Sequence, residues 1–120
     1  MSMHIKAVVH VTIQVSDVER SRRLYREVFG MVEMPRPPEL DFPGAWFQCG
    51  DCQLHIVGQP APDPASRRHT AVTVASLDVA RRVAEAAGLQ CSPDSPVGGG
   101  RRFFLLDPDD NRWELVEPGR

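Results

Sequence analysis

The chain has 120 residues, 42% of them hydrophobic and 25% charged, with a formal net charge of −2. That length suits one domain and is short for two independent cores. The near-balanced charge gives no electrostatic reason to expect nucleic acid or an anionic membrane as partner, and the longest apolar runs, such as AVVHVTIQV, are too short to span a bilayer.

The N-terminal MSMHIKAVV lacks the basic, apolar and small-residue order of a signal peptide, and three cysteines, an odd number, do not make a secreted disulfide framework. A cytoplasmic protein is expected. The first regular element is a strand over residues 9–15, where Val9, Val11, Ile13 and Val15 alternate with His10, Thr12 and Gln14. Ser16 or Asp17 then caps a helix over about 17–29, whose Val18, Leu24, Tyr25, Val28 and Phe29 recur at helical spacing before Gly30 closes it. Strands follow in MVEM, AWFQCG and CQLHIVG, the last two joined by a turn at Gly50 and Asp51.

The Pro-rich GQPAPDPASRR (58–68) reads as a linker. Beyond it a strand is expected over 69–74. A helix follows over about 77–87, capped by Ser76 and ended by Gly88, with Leu77, Ala80, Val83, Ala84 and Ala87 as its apolar set. The remaining strands lie in LQCSP, RRFFLLD and NRWELVE, with DPDDN (107–111) as a hairpin turn. The loops at 35–45 and 92–100 are placed to frame a pocket.

These elements are one unit written twice. HVTIQVSDVERSRRLYREVFG from His10 lies over HTAVTVASLDVARRVAEAAG from His69, and the same offset of 59 residues carries His55 to Glu114. The expected fold is therefore α+β: two tandem βαβββ modules, about 6–58 and about 69–118, forming a cupped mixed sheet in one domain spanning 1–120.

Strand alternation puts His10, His55, His69 and Glu114 on the face away from the aliphatic stripe. Modules related by a pseudo-two-fold axis would bring those positions together, and three imidazoles with a carboxylate make a divalent-metal site. A strand histidine taken alone is more often a hydrogen-bonded residue than a ligand. Two histidine/acid pairs at one repeat offset outweigh that reading. His4 has no counterpart and receives no role. Cys49 and Cys52 bracket a strand turn rather than a helix N-terminus, and only Cys91 is left to complete a zinc knuckle, so no role is assigned to the cysteines.

Carried on HVTIQVSDVERSRRLYREVFGM, HTAVTVASLDVARRVAEAAG and FFLLDPDDNRWELVE, the chain resembles the vicinal oxygen chelate superfamily. That group contains glyoxalase I, fosfomycin-resistance thiol transferases, methylmalonyl-CoA epimerase, extradiol dioxygenases and bleomycin-resistance proteins. The last stretch is the most specific, although Asp110 stands where the family's turn usually has glycine.

The resemblance implies that His10 and His69 are equivalent ligands of the two modules. Glu114 is then the terminal ligand and the acid/base group. His55 occupies the position where glyoxalase I has a carboxylate ligand. It implies one divalent transition-metal ion (Zn, Ni, Fe, Mn or Co), a small oxygenated substrate and a homodimer. The implied chemistry is glyoxalase-like, a lyase or isomerase reaction of the lactoylglutathione-lyase type combining a Lewis acid with a carboxylate. The main alternative is a metal-free antibiotic-sequestering protein of the bleomycin-resistance kind, with Trp46, Phe47, Phe103 and Trp113 as candidate pocket walls. Extradiol dioxygenase chemistry and fosfomycin-type thiol transfer are further alternatives, the latter drawing on Arg101 and Arg102 for an oxyanion pocket.

Overall fold

Alternation decides the first module. In β1 (His10–Val15) the buried positions are Ile13 and Val15, while His10 and Thr12 face outward. The same period buries Ala45 and Phe47 on β3 (Gly44–Cys49) and Leu54 and Ile56 on β4 (Cys52–Gly58). β2 (Val32–Met34) completes a four-stranded sheet of order β1-β4-β3-β2, in which β1 runs parallel to β4 and the other pairs are antiparallel. The computed structural model describes residues 1–119, which fall into two compact units, one through Pro60 and one from Ala61 onward, one for each repeat.

The helix of the first module departs from the expected continuous α-helix over 17–29. Asp17 is the cap, accepting a hydrogen bond from the Arg20 amide at 3.0 Å, and α1 covers Val18–Arg23. The chain then widens into a π-turn over Leu24–Val28, with the Phe29 amide reaching back to the Leu24 carbonyl. Tyr25, fully buried there, meets Phe29 with ring centroids 4.6 Å apart. Gly30 ends the helix in the left-handed region at φ 74°.

The second module repeats the plan. β5 (Thr70–Thr73), α2 (Leu77–Ala86), β6 (Gln90–Cys91), β8 (Gly100–Leu106) and β9 (Arg112–Glu117) give the order β5-β9-β8-β6, again with first and last strands parallel. Phe103, Leu105, Trp113 and Leu115 form its core with Leu77 and Ala84 of α2, whose cap Ser76 accepts from the Val79 amide. Val83, expected on the buried stripe, is 42% exposed. The loop expected at 92–100 contains an extra strand, β7 (Ser95–Val97), paired with β8 across Gly98 and Gly99. Both glycines have positive φ, 50° and 83°, which suits a two-residue hairpin turn.

Each module thus has the mixed α+β character expected of it. No helix among the described residues is long and apolar enough to cross a membrane. Strand boundaries shift by one residue from those read in the sequence: β1 begins at His10 rather than Val9, which is 67% exposed, and His69 lies just ahead of β5.

Candidate metal and substrate site

In the first module, register sets Thr12 beside His55 on one side and Trp46 beside it on the other. The His55 imidazole lies between two rings. Its centroid is 3.9 Å from that of His10, with 15° between planes, and 3.9 Å from Trp46, with 3°. Its Nε2 is 2.9 Å from Gln53 Oε1. Burial, then the neighbouring charges of His10 and Arg36, push the His55 pKa below the ordinary 6.5. A cavity of about 500 Å³ opens over this face, lined among others by His10, Leu40, Phe42, Trp46 and His55.

In the second module, β9 pairs Glu114 with Ala71 on one side and Phe104 on the other. Glu114 is buried, only 7% exposed, although it carries a carboxylate. His69 Nε2 stands 3.0 Å from Glu114 Oε1, and Arg102 Nη1 is 3.4 Å from the same oxygen. His69 Nδ1 is 2.9 Å from the Arg67 carbonyl oxygen. A carbonyl only accepts, so Nδ1 carries the proton in that contact. In the neutral ring the Nε2 lone pair then faces a carboxylate oxygen. Two acceptors so placed repel unless a proton or a metal cation lies between them. Two donors about 2.1 Å from one ion in adjacent octahedral positions stand about 3.0 Å apart. The spacing therefore fits a shared proton and a divalent ion alike, and the Arg67 carbonyl would hold the imidazole as an outer hydrogen-bond partner holds a ligating histidine.

Of the four residues picked from the sequence, His10 and His55 stand together in one module, and His69 and Glu114 in the other. Among the described residues, no three His, Cys, Asp or Glu side chains group closely enough to hold a metal ion. Phe47, Phe103 and Trp113, candidate pocket walls, are instead core, 0%, 0% and 1% exposed; Trp46 alone of that set lines the cavity. Arg101 pairs with Asp94 at 3.1 Å and reaches Asp78, whereas Arg102 turns to Glu114. The three cysteines are free, and burial raises the pKa of Cys49 and Cys91.

Sequence reasoning missed Phe104 and Arg36. Phe104 meets the His69 ring edge-on at 5.3 Å and carries the Arg112 guanidinium over its face at 4.1 Å. Its place opposite Glu114 was available from the hairpin register. For Arg36, in a Pro-rich loop, no sequence signal exists.

Each βαβββ repeat sets a histidine at the start of its first strand beside a histidine or glutamate of the neighbouring last strand. A family model described as Glyoxalase/Bleomycin resistance protein/Dioxygenase superfamily matches residues 7–115, and the chain belongs to that superfamily. It is 25% identical to Glyoxylase I 4 of Arabidopsis thaliana, over 94% of this chain and 71% of the relative. With the glutathione transferase FosA of Serratia marcescens it shares 29%, over 92% and 80%. A crystal structure of a glyoxalase family protein from Bacillus anthracis superimposes with a TM-score of 0.86 at 32% identity, covering 98% of this chain and 99% of that one.

Proposed function

We propose that the protein is a divalent-metal-dependent enzyme of the glyoxalase-like type, acting on a small oxygenated substrate, with His10, His55, His69 and Glu114 holding one transition-metal ion. The observation that carries this reading is the His69–Glu114 contact, in which a ring nitrogen with its other nitrogen tied to a carbonyl faces a buried carboxylate at 3.0 Å. When bound, the ion supplies Lewis-acid stabilisation of negative charge developing on vicinal substrate oxygens. Glu114 is the acid/base group, taking or returning a proton at a carboxylate oxygen. The Arg67 carbonyl fixes the His69 ring, and Phe42 and Trp46 give one wall of the cavity an apolar surface. Likeness to Glyoxylase I 4 and FosA supports metal-assisted chemistry on small molecules as the general class.

His55 in place of a carboxylate makes the donor set less negative by one charge than that of a glyoxalase I. Only Glu114 then remains to move the proton. A homodimer in the cytoplasm is the expected state, and light scattering at micromolar concentration should return twice the mass of one chain.

The second reading, a metal-free ligand-sequestering protein, has the flat Trp46–His55 stack in its favour as a binding wall. Metal analysis after reconstitution with Zn, Ni, Mn or Co decides between the two. About one equivalent, falling on His69→Ala and Glu114→Gln, supports the enzyme. Less than about a tenth of an equivalent in the unmodified protein would overturn it, because built sites hold such ions far more tightly.

A further inference from the structure

Arg36 has a guanidinium without an acid. Its Nε and Nη2 are both buried, and among the described residues neither has a hydrogen-bond partner. No carboxylate pairs with it there, although Glu39 and Asp41 belong to the same loop. The ring of Phe42 lies 4.9 Å from its Cζ. Desolvating a guanidinium without an anion is costly, and two arginines of this module avoid it: Arg22 and Arg26 share Glu33 at 2.8 and 3.3 Å.

The position is built for that side chain. Gly44 opens β3 and lies on the same face as Trp46, opposite Val57. A Cβ at Gly44 would come within 3.3 Å of both Arg36 Cζ and Nη2 and would collide with the Ile56 carbonyl oxygen. The glycine thus leaves a shelf on the sheet face that carries His55, and the guanidinium rests on it. Phe42 beside Arg36, and Ile56 and Val57 beside Gly44, also line the cavity above His10 and His55, with Arg36 behind that lining.

The two unpartnered nitrogens are the informative ones. Nε–H and Nη2–H point the same way along one edge of the guanidinium, the parallel fork that receives two oxygens of a carboxylate, phosphonate or phosphate. We propose that Arg36 is an anion-binding, specificity-determining residue of this site, and that the ligand carries a terminal oxyanion on a small apolar or aromatic body. The apolar body would lie along Leu40, Phe42 and Trp46, and the anion would complete the Arg36 fork. This rests on the metal-site reading only in placing the ligand's other end near His10 and His55.

Phenylphosphonate and benzoate serve as probes, with dimethyl phenylphosphonate as the uncharged control. Binding is measured by calorimetry to the protein as purified and again after chelator treatment. Phenylphosphonate, benzoate or both should bind, at least tenfold more weakly to Arg36→Gln, and the tighter of the two identifies the headgroup class. The neutral diester should not distinguish the variant from the unmodified protein. Arg36→Lys, which keeps the charge and loses the fork, should fall between and carries the test if Arg36→Gln does not fold.

Affinity within twofold of the unmodified protein in a folded Arg36→Gln or in Arg36→Lys would overturn the proposal, as would absence of binding by both anions. Metal content of the same samples separates the two proposals. Normal metal uptake with no dependence of anion binding on Arg36 sinks this inference alone. Arg36-dependent anion binding in a protein that takes up no metal sinks the metal reading alone.

Discussion

His55 and Trp46 lie face to face, centroids 3.9 Å apart and planes within 3°, on neighbouring strands of one sheet. The stack covers one face of the imidazole and His10 covers the other, so a proton added to His55 would place its charge in a poorly hydrated slot. Its pKa accordingly lies below 6.5. An unfolded chain takes up this proton first as the pH falls. The contribution of His55 to stability is therefore full above about pH 6.5 and is lost as pH drops below it. In chelator-treated protein the denaturation midpoint should decrease from pH 7 to pH 5, and His55→Gln should flatten part of that decrease. Parallel curves for the two proteins would contradict this.

At the turn before β9, two substitutions should have opposite signs. Asp107, 3% exposed, accepts from the Asp109 amide at 2.9 Å and the Asn111 amide at 2.8 Å. Asp107→Ala leaves those donors without that acceptor and should cost about 1–3 kcal/mol. Asp110 holds φ at 66°, where glycine is at ease and other residues are strained. Asp110→Gly should stabilise by up to about 1 kcal/mol. Urea midpoints of both variants test the pair, and a loss of stability on Asp110→Gly would refute the strain argument.

Phe47, the fourth residue of β3, and Phe103, the fourth of β8, are wholly withdrawn from solvent, both 0% exposed. Truncation of either to alanine removes its buried area and leaves a cavity, at about 3–5 kcal/mol. Loss of this size approaches the whole stability of a small domain. Calorimetric unfolding of Phe47→Ala and Phe103→Ala should show either a strongly lowered midpoint or no cooperative transition. A shift of only a degree or two would show that the ring is not packed as described.

The cysteines should be dispensable for metal. Cys49 and Cys52 are register partners at the ends of a hairpin, and burial together with the Cys52 neighbour raises the Cys49 pKa. Alkylation of Cys49 at pH 8 should be slower in the folded protein than in denaturant, because less thiolate is present. The double variant Cys49→Ala, Cys52→Ala should take up as much metal as the unmodified protein. A drop to half or less would return the cysteines to the site.

The repeat offset was the most informative feature of the sequence, because it matched His10 with His69 and His55 with Glu114 and so singled out all four; that His10 meets His55 and His69 meets Glu114 came from the strand pairing. Strand alternation then separated the buried Ile13, Val15, Leu54, Ile56 and Leu115 from the four site residues, but it took in Val9, which is exposed, and did not place Phe47, Phe103 and Trp113 in the core. The π-turn at Leu24–Val28 was invisible to periodicity, which cannot tell a five-residue turn from an α-turn when Tyr25 and Phe29 are apolar under either spacing. β7 was hidden by its composition: Pro96 and three successive glycines read as loop, although Gly98-Gly99 is also a hairpin turn signal. Arg36 was beyond reach because its meaning depends on what is missing around it, and that is a property of packing.

Because β1 lies parallel to β4, and β5 to β9, each module is closed by its own first and last strands. His69 and Glu114 meet across 45 residues of chain, and His10 meets His55 across the same interval. Neither pair can exist in a nascent or partly folded module, because the loop-closure entropy is met only when the last strand docks. During synthesis the first pair should form while the second module is still incomplete. The two pairs are therefore assembled in two separate zipping events rather than one. Fraying of the edge strand β1 or β5 would undo one of the two pairs while leaving β4 or β9 joined to the rest of its sheet.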